Sequence, residues 1–343
     1  MDVTVAVIPR ERFRPLSASL RSLFSTIPAN VRVIVIDGGA DEKTRQEVRS
    51  LQEVRHFELV ESDKFLLPNM ARNVALDMAK TKYIAFCDND LTYYPDWLNA
   101  LIANAEQHDA VAVAPATLIG PTNPPIIHHA GGKLTLGRDN SGQLKLRKHH
   151  RLDNVRLPDA ERTEYHDIAL EHDYFEYHCV LVAAEAMRVV GGHDERLMMH
   201  EHLDSSLRLK AIGGKITFEP KAHVMYTALV PFVDRDWPYF LYRWSSSKAE
   251  ISNQVFAGNW GIHEESKFSE FHRNRAMTTA LPRLPRVLNR YRIKQALLRL
   301  YRPMIVSLDL KLPDDPEVRM VDKPAPGSLL TAGIKEVKKA CID

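Results

Sequence analysis

Four short apolar runs, each followed by residues at another spacing, dominate the first ninety residues and leave few folds open to this chain. Val3 to Ile8, Val31 to Ile36, Phe57 to Val60 and Tyr83 to Cys87 are mostly branched or aromatic. Runs that short and apolar on both faces suit parallel strands, because helices cover both sides of a parallel sheet. Between them, residues 15–26 place Leu16, Leu20, Leu23 and Phe24 on one helical face. Residues 41–52 read as a polar helix, and Asn69 to Lys80 repeats Ala71, Val74, Ala75, Met78 and Ala79 at helical spacing. This alternation predicts a doubly wound α/β sheet. Ligands of such sheets bind beyond the carboxyl ends of the strands.

Four polar groups fall at those ends: Pro9-Arg10-Glu11, Asp37 ahead of two glycines, the loop leading to Arg72, and Asp88-Asn89-Asp90. Two carboxylates two residues apart at the end of an apolar strand suit a hard divalent cation, which is commonly shared between protein carboxylates and substrate phosphates. The plainer readings are an acidic turn for Asp88-Asn89-Asp90, a turn former for Asp37 and a surface helix residue for Arg72.

Beyond Gly120 the pattern changes. Residues 121–128 are rich in proline and histidine, 138–175 carry many charges, and the whole reads as a long excursion. Regular structure is expected again at Cys179 to Ala183 (strand), Glu185 to Val190 (helix), 201–212 (helix) and Lys215 to Phe218 (strand). Residues 281–302 hold seven Arg or Lys and no acid, and read as a basic helix; 311–330 read as a tail. The chain has 343 residues, 45% hydrophobic, with a net charge of +2, which disfavours nucleic acid as a partner. Cys87, Cys179 and Cys341 lie far apart in sequence, so no disulfide framework is expected. No basic leader or long apolar span is seen. The expectation is a cytoplasmic protein, with 281–302 as the one candidate for peripheral contact with an anionic membrane.

Six segments in order resemble one family. Val3-Thr4-Val5-Ala6-Val7-Ile8-Pro9-Arg10, Val33-Ile34-Val35-Ile36-Asp37-Gly38-Gly39, Met70-Ala71-Arg72-Asn73-Val74-Ala75, Asp88-Asn89-Asp90, Val190-Gly191-Gly192-His193-Asp194-Glu195, and Glu201-His202-Leu203-Asp204 with Leu207-Arg208 are similar to the motifs of inverting family-2 glycosyltransferases. The resemblance covers about residues 3–244. It implies the GT-A fold, a doubly wound mixed sheet. The expected division is a nucleotide-sugar-binding half at 1–118, an acceptor-binding half at 119–260, and a basic helical extension at 261–343. It further implies a nucleotide-diphosphate sugar donor, UDP-linked by preference, a carbohydrate or other hydroxyl acceptor, and Mn²⁺ or Mg²⁺. Pro9, Arg10, Glu11, Asp37, Arg72, Asp88 and Asn89 would line the donor, and Asp90, with Asp88 beside it, would ligate the metal.

Two positions depart from the pattern. The residue after Glu201, where relatives place the base, is His202. Inverting transfer needs a group to take the acceptor proton, and Glu201, then His202, then Asp204 are the candidates; Asp204 also forms a plausible i,i+4 pair with Arg208. The histidine that relatives place six residues after Pro220 is Tyr226 here. Strand alternation puts Ala222, Val224 and Tyr226 on one face and His223 on the other. His128-His129 is an acceptor-side candidate, with a zinc site disfavoured for want of a Cys or acid at ligand spacing. Trp237, Tyr239, Arg243 and Trp244 form another, with core packing as the plainer reading. The rival functions are a nucleotidyltransferase, disfavoured because Pro9-Arg10-Glu11-Arg12 is no glycine-rich loop, and an inactive binding member of the same fold.

Overall fold

The computed structural model describes residues 1–140, 142–150, 152, 154–161, 171–227, 232–263 and 275. The elements are β1 (Val3–Ile8), α1 (Leu16–Thr26), β2 (Arg32–Ile36), α2 (Glu42–Gln52), β3 (Glu58–Val60), α3 (Pro68–Met78), β4 (Tyr83–Asp88), β5 (Leu91–Tyr93), α4 (Trp97–His108), β6 (Ala110–Ile119) and β7 (Ile126–His129). There follow β8 (Gly132–Arg138), β9 (Leu144–His150), α5 (Leu157–Glu161), β10 (Glu171–His172), β11 (Cys179–Ala183), α6 (Ala184–Val189), α7 (Glu201–Ala211), β12 (Lys215–Tyr226), α8 (Trp237–Arg243) and α9 (Ser246–Trp260).

One mixed sheet runs β10-β12-β6-β11-β4-β1-β2-β3, with β5 joined to β12 and β7 to β6. β3, β2, β1 and β4 are mutually parallel, as the apolar runs predict. β11 lies antiparallel between β4 and β6. The expected boundary at 118 falls near the end of β6, and the sheet continues through it, so both halves share one core. Apolar clusters fill both faces: Val5, Val7, Leu20 and Trp97 on one, Ala6, Ile8, Ile84 and Phe86 on the other. Each fully buried large aliphatic side chain contributes about 1.5–3 kcal/mol.

The excursion after Gly120 is more regular than its composition suggests. β8 and β9 form a hairpin whose Leu134, Leu136, Leu144 and Leu146 pack with Phe256 and Trp260 of α9. β12 runs past Phe218, the expected end, to Tyr226, and takes up Pro220 through a register shift between Glu219 and His223. Beyond it the faces alternate as expected: Ala222 and Val224 are buried, while His223 meets Tyr94. Cys87 and Cys179 are register partners across β4 and β11, both free, with sulfurs 3.8 Å apart.

α3 starts at Pro68, whose missing N–H costs a first helical position nothing. Its buried Asn73 accepts from the His193 amide and donates to the His193 carbonyl and to Glu195. Asn69 donates to the Asp194 carbonyl. This close seat requires Gly192, at φ +77°, where a Cβ would lie 2.9 Å from Asn73 Oδ1. Among the described residues, no helix is long and apolar enough to cross a membrane. The basic segment 281–302 and the tail 311–330 lie outside them.

Candidate active site

The carboxyl ends of β1 and β4 meet where Asn89 clamps them. Its side chain accepts from the Arg10 amide at 3.2 Å and donates to the Arg12 carbonyl at 2.9 Å. Asn89 is thus a structural clamp, and the two carboxylates beside it are left to other work. Asp88 is fully buried, with Arg10 Nε at 3.4 Å, Arg72 Nη2 at 4.0 Å and His178 Nδ1 at 3.0 Å. Asp90 Oδ1 is buried and makes no hydrogen bond. Burial first, and Asp88 second, push the Asp90 carboxyl up to about 7. Both oxygens of Asp88 likewise make no hydrogen bond, and two such clustered carboxyls are a donor set that a divalent cation would satisfy.

Arg72 is fully buried, not a surface residue. It donates to Asn69 Oδ1 at 2.8 Å and its guanidinium lies 3.7 Å from the centre of the Tyr177 ring. Its Nε and Nη2 make no hydrogen bond. Burial lowers its pKa below the usual guanidinium range. Pro9 packs on the turn at Gly38. Asp37 is committed to that turn: Oδ1 accepts from Gly39 and Ser62, and Oδ2 from Arg45 Nε at 2.6 Å. Three accepted bonds still leave the carboxylate one acceptor position.

The catalytic candidates separate at the start of α7. Glu201 is buried, with Arg243 Nη2 3.7 Å away, and its charge favours the protonated forms of Arg10, Arg72 and Arg243. His202 turns instead to the β8–β9 hairpin, where its Nε2 lies 3.3 Å from Lys148 Nζ. Asp204 is taken up structurally: it accepts from Arg208 at 2.5 Å, the i,i+4 pair, and from Trp260 Nε1 at 2.9 Å. Arg243 donates to the Arg10 carbonyl, which ties α8 to the loop after β1. Trp244 stacks under Arg243 and Arg275, while Trp237 packs on Phe232 and Phe240 as a core aromatic would.

Glu11 is held by the guanidinium of Arg275, 2.5 Å away. Burial raises its carboxyl pKa, but Arg275, then Arg10, Arg243 and Arg12, outweigh burial and hold it at about 2 against an ordinary 4.5. A depressed carboxyl stabilises the fold above its ordinary value, and the benefit is lost as pH falls toward the folded one. Stability should therefore fall between about pH 4.5 and 2, by about 3 kcal/mol from this group. The Glu11→Gln variant should show a flatter acid limb in urea midpoints measured against pH.

Two residues at the site carried no sequence motif. Because β11 runs antiparallel, its leading residues emerge beside the carboxyl end of β4; the Asp88 amide donates to the His178 carbonyl at 2.8 Å. His178 is buried, and Tyr226 stacks on it with ring centres 4.4 Å apart. Glu176 sits between His178 and His128, Oε2 lying 3.8 and 3.6 Å from their Nε2 atoms. The acid that His128 lacks in sequence is thus supplied by the fold. Burial alone would raise the Glu176 pKa, but Lys148 and His129, His202 and His128 hold it well below the usual carboxylate range. His129 is buried, with its ring centre 5.6 Å from that of Tyr174.

Residues 4–170 match the model of the Glycosyl transferase family 2. The succinoglycan biosynthesis protein ExoA of Rhizobium meliloti (strain 1021) is 26% identical over 238 residues, 68% of this chain and 65% of ExoA. The pre-mycofactocin glycosyltransferase of Mycobacterium tuberculosis (strain CDC 1551 / Oshkosh) is 27% identical over 239 residues, 69% of this chain and 44% of that protein. The chain thus spans less than two thirds of the length of either relative. A crystal structure of GalNAc-T7 with UDP, GalNAc and Mn²⁺ superposes with a TM-score of 0.52 at 14% identity, over 92% of this chain and 58% of GalNAc-T7. With the mixed sheet, these matches show the GT-A fold and a chain similar, over residues 4–170, to the family-2 glycosyltransferases.

Proposed function

We propose that this glycosyltransferase moves a hexosyl or N-acetylhexosaminyl group from a nucleotide-diphosphate sugar, UDP-linked by preference, to an acceptor hydroxyl with inversion, assisted by Mn²⁺ or Mg²⁺. One observation carries the reading: Asp90 presents a buried carboxylate oxygen without a hydrogen bond, beside Asp88, against which Arg10 and Arg72 lie. The pocket mixes carboxylates for a cation with guanidiniums for a diphosphate. The UDP and Mn²⁺ named with the GalNAc-T7 structure agree with it.

Asp90 and Asp88 would hold the cation, which when bound supplies Lewis-acid relief of charge on the leaving diphosphate. Arg10 and Arg72 flank the phosphates, and Arg72, stacked on Tyr177, is already oriented for them. Glu201 takes the proton of the attacking hydroxyl. It lies at the start of α7, with Arg243 Nη2 3.7 Å away.

The test is nucleoside-diphosphate release from a panel of nucleotide sugars with Mn²⁺ and an acceptor mixture. Release is expected from one donor class, with loss in EDTA and recovery on added Mn²⁺. Donor binding without release would instead favour an inactive binding member of the fold.

A further inference from the structure

We propose a second divalent-cation site, separate from the Asp88–Asp90 pair and formed by His128, Glu176 and His178. Glu176 Oε2 lies 3.6 Å from His128 Nε2 and 3.8 Å from His178 Nε2, and one ligand atom from each of the three residues falls within 4.8 Å of the others. Metal–ligand bonds of about 2.0–2.2 Å put neighbouring ligand atoms roughly 3–3.5 Å apart, so small side-chain rotations would close the set. Two imidazoles and one carboxylate suit Zn²⁺, Co²⁺ or Fe²⁺ rather than the all-oxygen shell of Mg²⁺.

Independent support comes from behind the ring. His178 Nδ1 faces Asp88 Oδ2 at 3.0 Å, and both residues are buried. The two atoms make no hydrogen bond as they stand; a small rotation of the imidazole, of the kind that closes the ligand set, would turn Nδ1–H onto Asp88 and offer Nε2 to the cation. Tyr226 fixes the plane of the ring by stacking. His128 comes from β7 and Glu176 and His178 from the chain entering β11, so the ligands sit on framework that the sheet already orders. Lys148 is the nearest competing charge, 3.9 Å from Glu176 Oε1, the oxygen turned away from the histidines. Three protein ligands leave a fourth position open, as in zinc sites that bind a substrate group.

The test is a Co²⁺ titration of the full chain after chelator dialysis, followed by visible absorption and calorimetry. Two equivalents are expected in the wild-type chain. His128→Ala and Glu176→Gln should each lose one equivalent, or weaken it by at least about tenfold, with unchanged far-ultraviolet circular dichroism. Asp90→Asn should lose the other. Equivalents, one or two, that neither His128→Ala nor Glu176→Gln alters would overturn the inference. A single equivalent that Asp90→Asn removes and His128→Ala keeps would do so while leaving the donor-cation reading intact.

Discussion

Asp90→Asn should lower turnover by at least about a hundredfold while the protein stays folded. The substitution keeps the shape of the side chain and removes its charge. Lewis-acid neutralisation of a leaving diphosphate is worth several kcal/mol, and about 2.7 kcal/mol already corresponds to a hundredfold in rate. Folding should not suffer, because Asp90 Oδ1 makes no hydrogen bond and its charge is opposed by burial and by Asp88. Steady-state rates of nucleoside-diphosphate release, with melting curves on the same samples, check both halves. Wild-type turnover in Asp90→Asn would remove the cation from the account.

Glu201→Gln is the second large effect. A positioned general base contributes about 10²–10⁴ in rate. The amide cannot take the acceptor proton, so kcat should fall by that order while the KM for the donor changes little. A loss confined to kcat marks an interaction used in the chemical step. His202→Ala should change kcat by less than about tenfold, because His202 turns to Lys148 and away from the arginine cluster that surrounds Glu201. The reverse ranking would make His202 the base.

The stretch from β1 to β4 was legible because its information is local. Each parallel strand is a continuous apolar run, and Pro68 marks the start of α3. Placing Arg10, Arg72, Asp88 and Asp90 together needed only the rule that strand ends gather ligands. Asp37 lies at the same edge, but its commitment to Arg45 and Ser62 depends on where a neighbouring helix and loop fall. Glu176 and His178 were beyond reach for a topological reason. They come to the site only because β11 runs antiparallel, and nothing in Cys179–Ala183 encodes its direction. The β8–β9 hairpin was partly readable: Leu144 and Leu146 alternate with Lys145 and Arg147, the period of a one-sided strand. The surrounding charge density hid that short period. In β12, Pro220 suggested an end where the strand bulges and continues.

The most direct measurement of the central claim is a melting-temperature series with Mn²⁺ alone, a nucleoside diphosphate alone, and both together, on the wild-type chain and Asp90→Asn. A ligand at a hundred times its Kd stabilises by about 2.7 kcal/mol, worth roughly 4 °C in a protein of this size. The account predicts that the nucleotide and Mn²⁺ together raise the melting temperature of the wild-type chain by more than the sum of their separate effects. It predicts that this excess disappears in Asp90→Asn. A nucleotide shift that is the same with and without the cation, or an excess that survives in Asp90→Asn, would contradict it.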